Sequence, residues 1–336
     1  MFPTLIDKLS RREDLGSDEA AAAMAEIMDG RAQPAQMAGF LIGLSMKGER
    51  PAEIVGLART MRERAMKLER TWPDVFDTCG TGGDRAHTFN VSTVAALVVA
   101  GCGVQVAKHG NRSVSSRCGS ADLFEALGVQ ITAPPAVVES CLEKAGIAFF
   151  FAPTFHPSMR HAGPTRKELG VRTAFNLLGP LTNPAGAKRQ LVGVPRPELT
   201  ELVARALALL GSERAWVVHG ADGLDEISTT GYTKVSECSN GAVRTFYVHP
   251  SEFGVAKATA DALKGGDASQ NAAIARGVLA GEKGAARDIV VLNAGVSLFI
   301  ADAASSIDEG IRRAAESLDS GRAAAALERL VQASHG

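Results

Sequence analysis

Three glycines, Gly80, Gly82 and Gly83, stand beside Asp84 and shortly before Thr88, Asn90, Val91, Ser92 and Thr93. Bare glycine backbone lets N–H groups approach an anion closely. The first turn of a following helix adds unpaired N–H donors and the positive end of its dipole. A strand-like Val75-Phe76-Asp77 precedes these residues and a helix-like apolar run, Val94 to Ala100, follows them. The loop therefore reads as a phosphate cradle. A second loop repeats the device: the strand-like Val104 to Ala107 runs into Lys108, His109, Gly110, Asn111, Arg112, Ser113, Val114, Ser115 and Ser116. Ser120-Ala121-Asp122 then opens a helix-like segment that ends at Gly128. Lys108 and Arg112 offer charge, Ser115, Ser116 and Ser120 offer hydroxyls, and Gly110 and Gly119 offer bare backbone. Two adjacent anion loops predict a ligand with more than one phosphate group.

A third group of residues is acidic. Asp225 and Glu226 lie on a loop after the strand-like Ala215 to Val218, in the run Gly223-Leu224-Asp225-Glu226-Ile227-Ser228. Adjacent hard carboxylates can hold magnesium and leave coordination positions for phosphate oxygens and water; in isolation such a pair is more often solvated. Between Phe155 and Gly186 the chain is dense in turns and positive charge, with His156, Arg160, Arg166, Lys167 and Arg172. Any one of those arginines, taken singly, is a solvated side chain, and His156 alone is a packed or partly exposed histidine.

The elements that must position these groups follow from composition and periodicity. At 336 residues the chain exceeds the size at which one core usually keeps growing, so a large domain with a smaller partner is expected. The 46% hydrophobic content supports a sizeable core and 35 glycines favour an α/β protein with many tight loops. A net charge of -1 argues against a nucleic-acid binder, which needs a broad basic surface. From Met1 to about Leu68 the pattern is helical: Met37, Phe40, Leu41 and Leu44 repeat at helix spacing, as do Ile54, Leu57, Ala58 and Met61. Gly39 and Gly43 share the first of these segments, and their spacing suits close contact either within the domain or across a subunit interface. After Trp72-Pro73-Asp74, strands alternate with helices. Val129 to Thr132, Ile147 to Ala152, Gln190 to Val194, Ala215 to His219, Val243 to Val248 and Asp288 to Leu292 are strand-like, and Pro135 to Ala145 and Asn271 to Ala280 are helical. The fold class expected is α/β: a small N-terminal helical domain plus a larger domain with a mostly parallel sheet flanked by helices. Ligands would bind beyond the carboxyl ends of the strands, where both glycine-rich loops fall.

The five cysteines, Cys79, Cys102, Cys118, Cys141 and Cys238, show neither zinc-ligand spacing nor a histidine and acid arrangement suited to a catalytic thiol. Their odd number points to reduced thiols. The N-terminus lacks an apolar signal core and no apolar run approaches the roughly 20 residues needed to span a bilayer, so a soluble cytoplasmic protein with no membrane partner is expected.

The runs Gly80-Thr81-Gly82-Gly83-Asp84, Asn90-Val91-Ser92-Thr93, Lys108-His109-Gly110-Asn111-Arg112 and Gly119-Ser120-Ala121-Asp122 resemble those of the anthranilate phosphoribosyltransferases of tryptophan biosynthesis. The resemblance extends over nearly the whole chain, through Arg172-Thr173-Ala174-Phe175-Asn176 and Gly223-Leu224-Asp225-Glu226-Ile227-Ser228. It implies transfer of a 5-phosphoribosyl group from phosphoribosyl pyrophosphate to the amine of anthranilate, with release of pyrophosphate. It further implies a helical domain over residues 1–70, joined by a returning segment around 160–186, and an α/β domain over 73–159 and 187–336. Gly80, Gly83, Asp84, Thr88, Asn90, Val91, Ser92, Thr93, the run Lys108 to Ser116 and Ser120 would bind the donor. Gly80, Asn111, His156 and Arg166 would border anthranilate, with Arg166 on its carboxylate, where a planar guanidinium fork is well matched. Ser92, Asp225 and Glu226 would hold magnesium, two ions per subunit, and the chain would form a homodimer through its helical domain. An aromatic amine is already a neutral nucleophile, so no general base is assigned. The chain departs from the family pattern at Arg85-Ala86-His87, where smaller residues are expected, and at Phe124, where an aliphatic is usual. A pyrimidine nucleoside phosphorylase and a non-catalytic binder of a phosphorylated metabolite are the alternatives; the Arg166 segment and the acidic pair disfavour both.

Overall fold

A computed structural model describes residues 1–84, 86–113 and 117–336. Four helices open the chain: α1 (Phe2–Ser10), α2 (Ser17–Met28), α3 (Pro34–Lys47) and α4 (Pro51–Glu63). Pro34 and Pro51 occupy first-turn positions, where a missing N–H removes no helical hydrogen bond. The two apolar stripes read from the sequence are buried, with α3 packed on α1 and α4 on α2. A Cβ at Gly39 would come 3.1 Å from Ile6 and one at Gly43 3.1 Å from Leu9. The glycine pair thus serves close packing inside the bundle, where α1 crosses α3.

The sheet is built by β1 (Phe76–Gly80), then α5 (Val91–Gly101), β2 (Val106–Gly110), α6 (Ser120–Ala126), α7 (Pro135–Ala145) and β3 (Ile147–Phe151). Three short helices follow, α8 (Ala152–Phe155), α9 (Gly163–Leu169) and α10 (Phe175–Leu178). The chain then makes β4 (Arg189–Gly193), α11 (Leu199–Leu209), β5 (Arg214–Gly220), β6 (Thr233–Ser239) and β7 (Ala242–Val248). It ends in α12 (Ala268–Leu279), α13 (Ala285–Ile300), α14 (Ile307–Asp319) and α15 (Arg322–Ser334). Strand order is β3-β2-β1-β4-β5-β6-β7, with the first five parallel and the last two antiparallel. The mostly parallel sheet flanked by helices is therefore present, and the order reverses between β1 and β4. In such sheets that reversal opens a crevice at the strands' carboxyl ends.

Two apolar cores cover the two faces. One joins α5, α13, α14 and α15 to the sheet. The other runs without a break from the bundle, through Phe40 and Leu41, to Val192 of β4, Val194 just beyond it, and Ala215 and Val217 of β5. Segment 163–178 returns to the bundle, α9 lying on α3 and α10 on α4.

Three strand expectations need correction. Asp288–Leu292 lies inside α13, all of it helical, because a fully buried apolar run has no period that separates strand from helix. Val129–Thr132 forms no strand and is an irregular link between α6 and α7. Lys108 and His109, read as loop residues, belong to β2, which fixes their side chains within the sheet.

Gly80 and Gly193 pair in register at the ends of β1 and β4. A Cβ at Gly80 would collide with the Asp225 carboxylate, and one at Gly193 with the Asp225 backbone carbonyl. Gly193→Ala should destabilise the protein by roughly 1–3 kcal/mol through overpacking, read as a lower denaturation midpoint; unchanged stability would show that the 225 loop yields at no cost.

Candidate active site

A cavity of about 620 Å³ opens between the bundle side and the carboxyl ends of β1 and β2. Gly80, Gly83, Asp84, Thr88, Asn90, Val91, Ser92, Thr93, Lys108, His109, Gly110, Asn111, Arg112, Ser113 and Ser120 line it, as do His156, Arg166, Asp225 and Glu226. Every described residue singled out for the site is thus brought to one space. Val114, Ser115, Ser116 and the departing Arg85 lie outside the described residues.

The acidic pair holds both halves of the first cradle. Asp225 Oδ2 accepts the Gly82 N–H at 3.1 Å, and Glu226 Oε1 accepts the Ser92 N–H at 3.1 Å at the start of α5. The loop carrying the pair is set by α13, whose buried Asn293 accepts from Ile227 N at 3.0 Å and donates to Ile227 O at 2.9 Å. Asp222 fixes its other end, accepting from Ser228 Oγ at 2.5 Å and Leu224 N at 3.2 Å. Burial, and then the neighbouring charge of Asp84, pushes the Asp225 carboxyl up to about 7. Burial, and then Asp225, pushes Glu226 up to about 8. Among the described residues no group of three or more His, Cys, Asp or Glu is gathered to hold a metal without other ligands. Two under-neutralised, oxygen-only ligands beside the Ser92 hydroxyl nevertheless fit a hard divalent cation that takes its remaining ligands from phosphate and water.

Lys108 is the buried cation of the site, 1% exposed. Its Nζ donates to Thr78 O at 2.5 Å and Ser92 Oγ at 3.3 Å. Burial lowers its pKa, against the opposing pull of Asp77, Cys79, Glu226 and Asp225. Asp77, also buried, accepts from Asn183 Nδ2 at 2.8 Å and His109 N at 3.2 Å. Arg112, read from the sequence as offering charge to the second loop, has carboxylate partners of its own. It pairs with Asp122 at 2.9 Å and Glu125 at 2.8 Å, bracing the second loop onto α6.

Asn90 does not cap α5 with its side chain. Its Nδ2 donates to Cys118 O at 3.0 Å, and its Oδ1 accepts from Asn271 Nδ2 at 2.9 Å, tying the two loops and α12 together. Thr81 Oγ1 and Thr93 Oγ1, on lining residues, are buried without a hydrogen-bond partner, a state that a bound polyoxygen ligand would relieve.

The segment from His156 to Asn176 brings Arg160, Arg166 and Arg172 to the cavity wall. The Arg166 guanidinium lies over the Phe175 ring, 5.0 Å from its centroid, and makes no hydrogen bond or ion pair to the described residues. His109 and His156 pack with ring centroids 5.1 Å apart, and Gly179 O meets His109 Nδ1 at 3.0 Å. Burial first, and then the His109 ring, lowers His156 to about 3, so its imidazole is neutral. Cys79 and Cys118 are held in the thiol form, their pKa values raised chiefly by burial, which opposes a nucleophilic thiolate. Sequence reasoning missed Arg172 as a site residue: it quoted the arginine in a motif but assigned it no partner, and the structure puts it in the cavity wall.

A helical bundle set on a parallel sheet, with an open anion cradle at the strand-order reversal, is the build of a transferase acting on a phosphorylated donor. Residues 72–324 match the a/b domain of a glycosyl transferase family and residues 3–65 match that family's helical bundle domain. The anthranilate phosphoribosyltransferase of Moorella thermoacetica is 54% identical over 331 residues, 98% of each chain. The crystal structure of the Thermus thermophilus enzyme of that name has 46% identity and a TM-score of 0.92 over 99% of both chains. The Saccharomyces cerevisiae enzyme in complex with PRPP and Mg has 29% identity and a TM-score of 0.91 over 99% of this chain and 98% of its own. The chain belongs to the anthranilate phosphoribosyltransferase family.

The raised carboxyls give a signed pH dependence. Both folded values exceed the unfolded values of about 4, so the folded chain holds more protons between about pH 4 and pH 8 and loses stability as pH rises through that window. In chelator, wild-type stability should fall from pH 5 to pH 8 as this pair gives up its protons. Asp225→Asn with Glu226→Gln should flatten that slope; equal slopes in thermal unfolding would refute the assignment.

Proposed function

We propose that this protein transfers the 5-phosphoribosyl group of phosphoribosyl pyrophosphate to the amine of anthranilate, releasing pyrophosphate, as the second step from chorismate to tryptophan. The observation that carries this reading is the single cavity that joins a glycine and helix-start cradle to a pocket with Arg166 at its far end. The names borne by relatives at 54% and 46% identity support the choice of substrates.

In this reading Gly80, Gly83, Asp84, Thr88 and residues Asn90 to Thr93 receive the pyrophosphate. Lys108 to Ser116 and Ser120 take the ribose and its 5-phosphate, with Lys108 acting chiefly through its field, since its donors are directed at Thr78 and Ser92. Ser92, Asp225 and Glu226 would hold magnesium, two ions per subunit. Bound there, magnesium would neutralise charge that grows on the leaving group. Arg166 receives the anthranilate carboxylate through two parallel hydrogen bonds, and its seat on Phe175 keeps the guanidinium aimed into the pocket. Gly80, Asn111 and His156 border the ring, and the neutral His156 adds no positive charge to repel the developing ribosyl cation. The reaction needs the amine aligned with C1 and the leaving group stabilised. The amine attacks through its own lone pair, so no residue serves as general base.

The chain divides, in the same reading, into a helical domain of 1–70 with 160–186 and an α/β domain of 73–159 with 187–336. Family membership supports a homodimer through the helical domain. The odd number of cysteines and their lack of zinc-ligand spacing support a reducing cytoplasmic setting. No helix among the described residues is long and apolar enough to cross a membrane.

Purified protein given phosphoribosyl pyrophosphate and magnesium should consume anthranilate, followed by its fluorescence, and a chelator should stop it. A folded protein that binds the donor but leaves anthranilate untouched would sink the reading. Arg166→Ala should raise the KM for anthranilate by at least about ten-fold, as expected for a lost charge-assisted pair, with the donor KM changed far less. Equal changes in both would refute its role.

A further inference from the structure

Arg172 stands between α9 and α10, in the segment that returns to the bundle. Its backbone is fixed on both sides. Gly170 closes α9 in the left-handed conformation at φ +63°, and Thr173 N donates to Asn176 Oδ1 at 2.9 Å. From there the guanidinium crosses the cleft to the glycine loop, where Nη2 donates to Thr81 O at 3.2 Å. Gly83, at φ +83°, presents its bare Cα to the same group; a Cβ there would collide with Nη1. Asp225 and Asp84 are near enough for their charge to act on it.

Among the described residues, two other cations of the cavity wall beside the donor loops are committed. Lys108 is bound to Thr78 and Ser92, and Arg112 to Asp122 and Glu125. Arg166 lies on Phe175 at the opposite end. Arg172 is half-exposed to the cavity and uses one N–H in a described hydrogen bond, leaving other donors of its fork to face whatever fills the glycine loop. A pyrophosphate seated on that loop meets backbone N–H groups from one side and this guanidinium from the other.

We propose that Arg172 is a catalytic residue that contacts the departing pyrophosphate, bridging it to the bundle side of the cleft. This rests on the transfer reading above. In that step the bond from C1 to the pyrophosphate oxygen breaks and its electron pair leaves with that oxygen. The amine lone pair forms the new bond to C1, and the amine then gives a proton to solvent. Arg172 stays protonated throughout. The leaving group carries more charge in the transition state than in the bound donor, so a guanidinium aimed at it lowers the barrier more than it tightens donor binding.

The test combines steady-state kinetics with calorimetric titration of inorganic pyrophosphate and magnesium, for wild type, Arg172→Ala, Arg172→Gln and Arg172→Lys. Arg172→Ala should lower kcat by about 10²-fold, the usual scale for one transition-state donor, and weaken pyrophosphate binding about ten-fold. Its KM for anthranilate should stay within about two-fold, since the interaction lost is made to the leaving group. Arg172→Gln can keep the bond to Thr81 O without charge, and should be as weak for pyrophosphate as Arg172→Ala. Arg172→Lys should regain part of the affinity, since it keeps the charge and loses the fork. Wild-type pyrophosphate affinity in a folded Arg172→Ala or Arg172→Gln protein would overturn the proposal whatever happens to turnover. If wild type binds pyrophosphate and the variants do not, yet none consumes anthranilate, the assignment of Arg172 stands and the choice of acceptor falls.

Discussion

The site depends on charge held where water cannot reach it. Asp77, Lys108 and Glu226 are all buried, and Asp225 stands against them at the cavity wall. An isolated buried charge costs several kcal/mol, so such groups persist only as a mutually compensating set. Lys108 sits between Asp77 beneath it and Glu226 beside it, and its two described hydrogen bonds tie β1 to the first turn of α5. The compensation is incomplete: burial first, and then the neighbouring carboxylates, push Asp225 up to about 7 and Glu226 up to about 8 despite the ammonium beside them. That deficit of positive charge suits the resting site to a divalent cation.

Steric constraints convert the electrostatics into a shape. Gly80 and Gly193 end adjacent strands, and both are bare where Asp225 presses on them. The carboxylate can then sit over the sheet end and reach the Gly82 N–H of the loop above. Glu226 follows directly and reaches the start of α5. Two consecutive residues thus set the spacing between glycine loop and helix start, and with it the width of the cradle. Asn293 transmits the position of α13 to that pair through the backbone of Ile227. The core helix is therefore part of the site's construction, although it contributes no lining residue.

Much of this was legible in the residue types. Glycines after a strand and acids after another strand point to ligand binding because a parallel sheet collects its loop residues at one edge. The bundle stripes were legible because a helix buried on one face repeats at 3.6 residues. What escaped was whatever depended on a side chain's reach or on context. Lys108 read as loop charge, since nothing in the sequence marks where β2 ends. Arg112 read as charge offered to the second loop because its partners, Asp122 and Glu125, lie a helix start away. Asp288–Leu292 read as a strand because five residues of a sixteen-residue buried helix carry no period of their own. β6 was not identified: Thr233–Ser239 is rich in polar residues, several of them buried against neighbouring side chains, so its alternation is masked.

The division of charge along the cavity constrains the chemistry more tightly than any single residue does. At the cradle end lie carboxylates, helix N–H groups and Lys108, a set suited to a metal with a polyphosphate. At the other end lie Arg166 on an aromatic face and two neutral imidazoles, suited to a planar acid with an uncharged nucleophile. Arg172 reaches the glycine loop from the segment that also carries Arg166 and Phe175. The short link between α9 and α10 that carries Arg166 to the Phe175 ring also carries Arg172 to the glycine loop, so one stretch of chain ties the two parts of the cavity wall together.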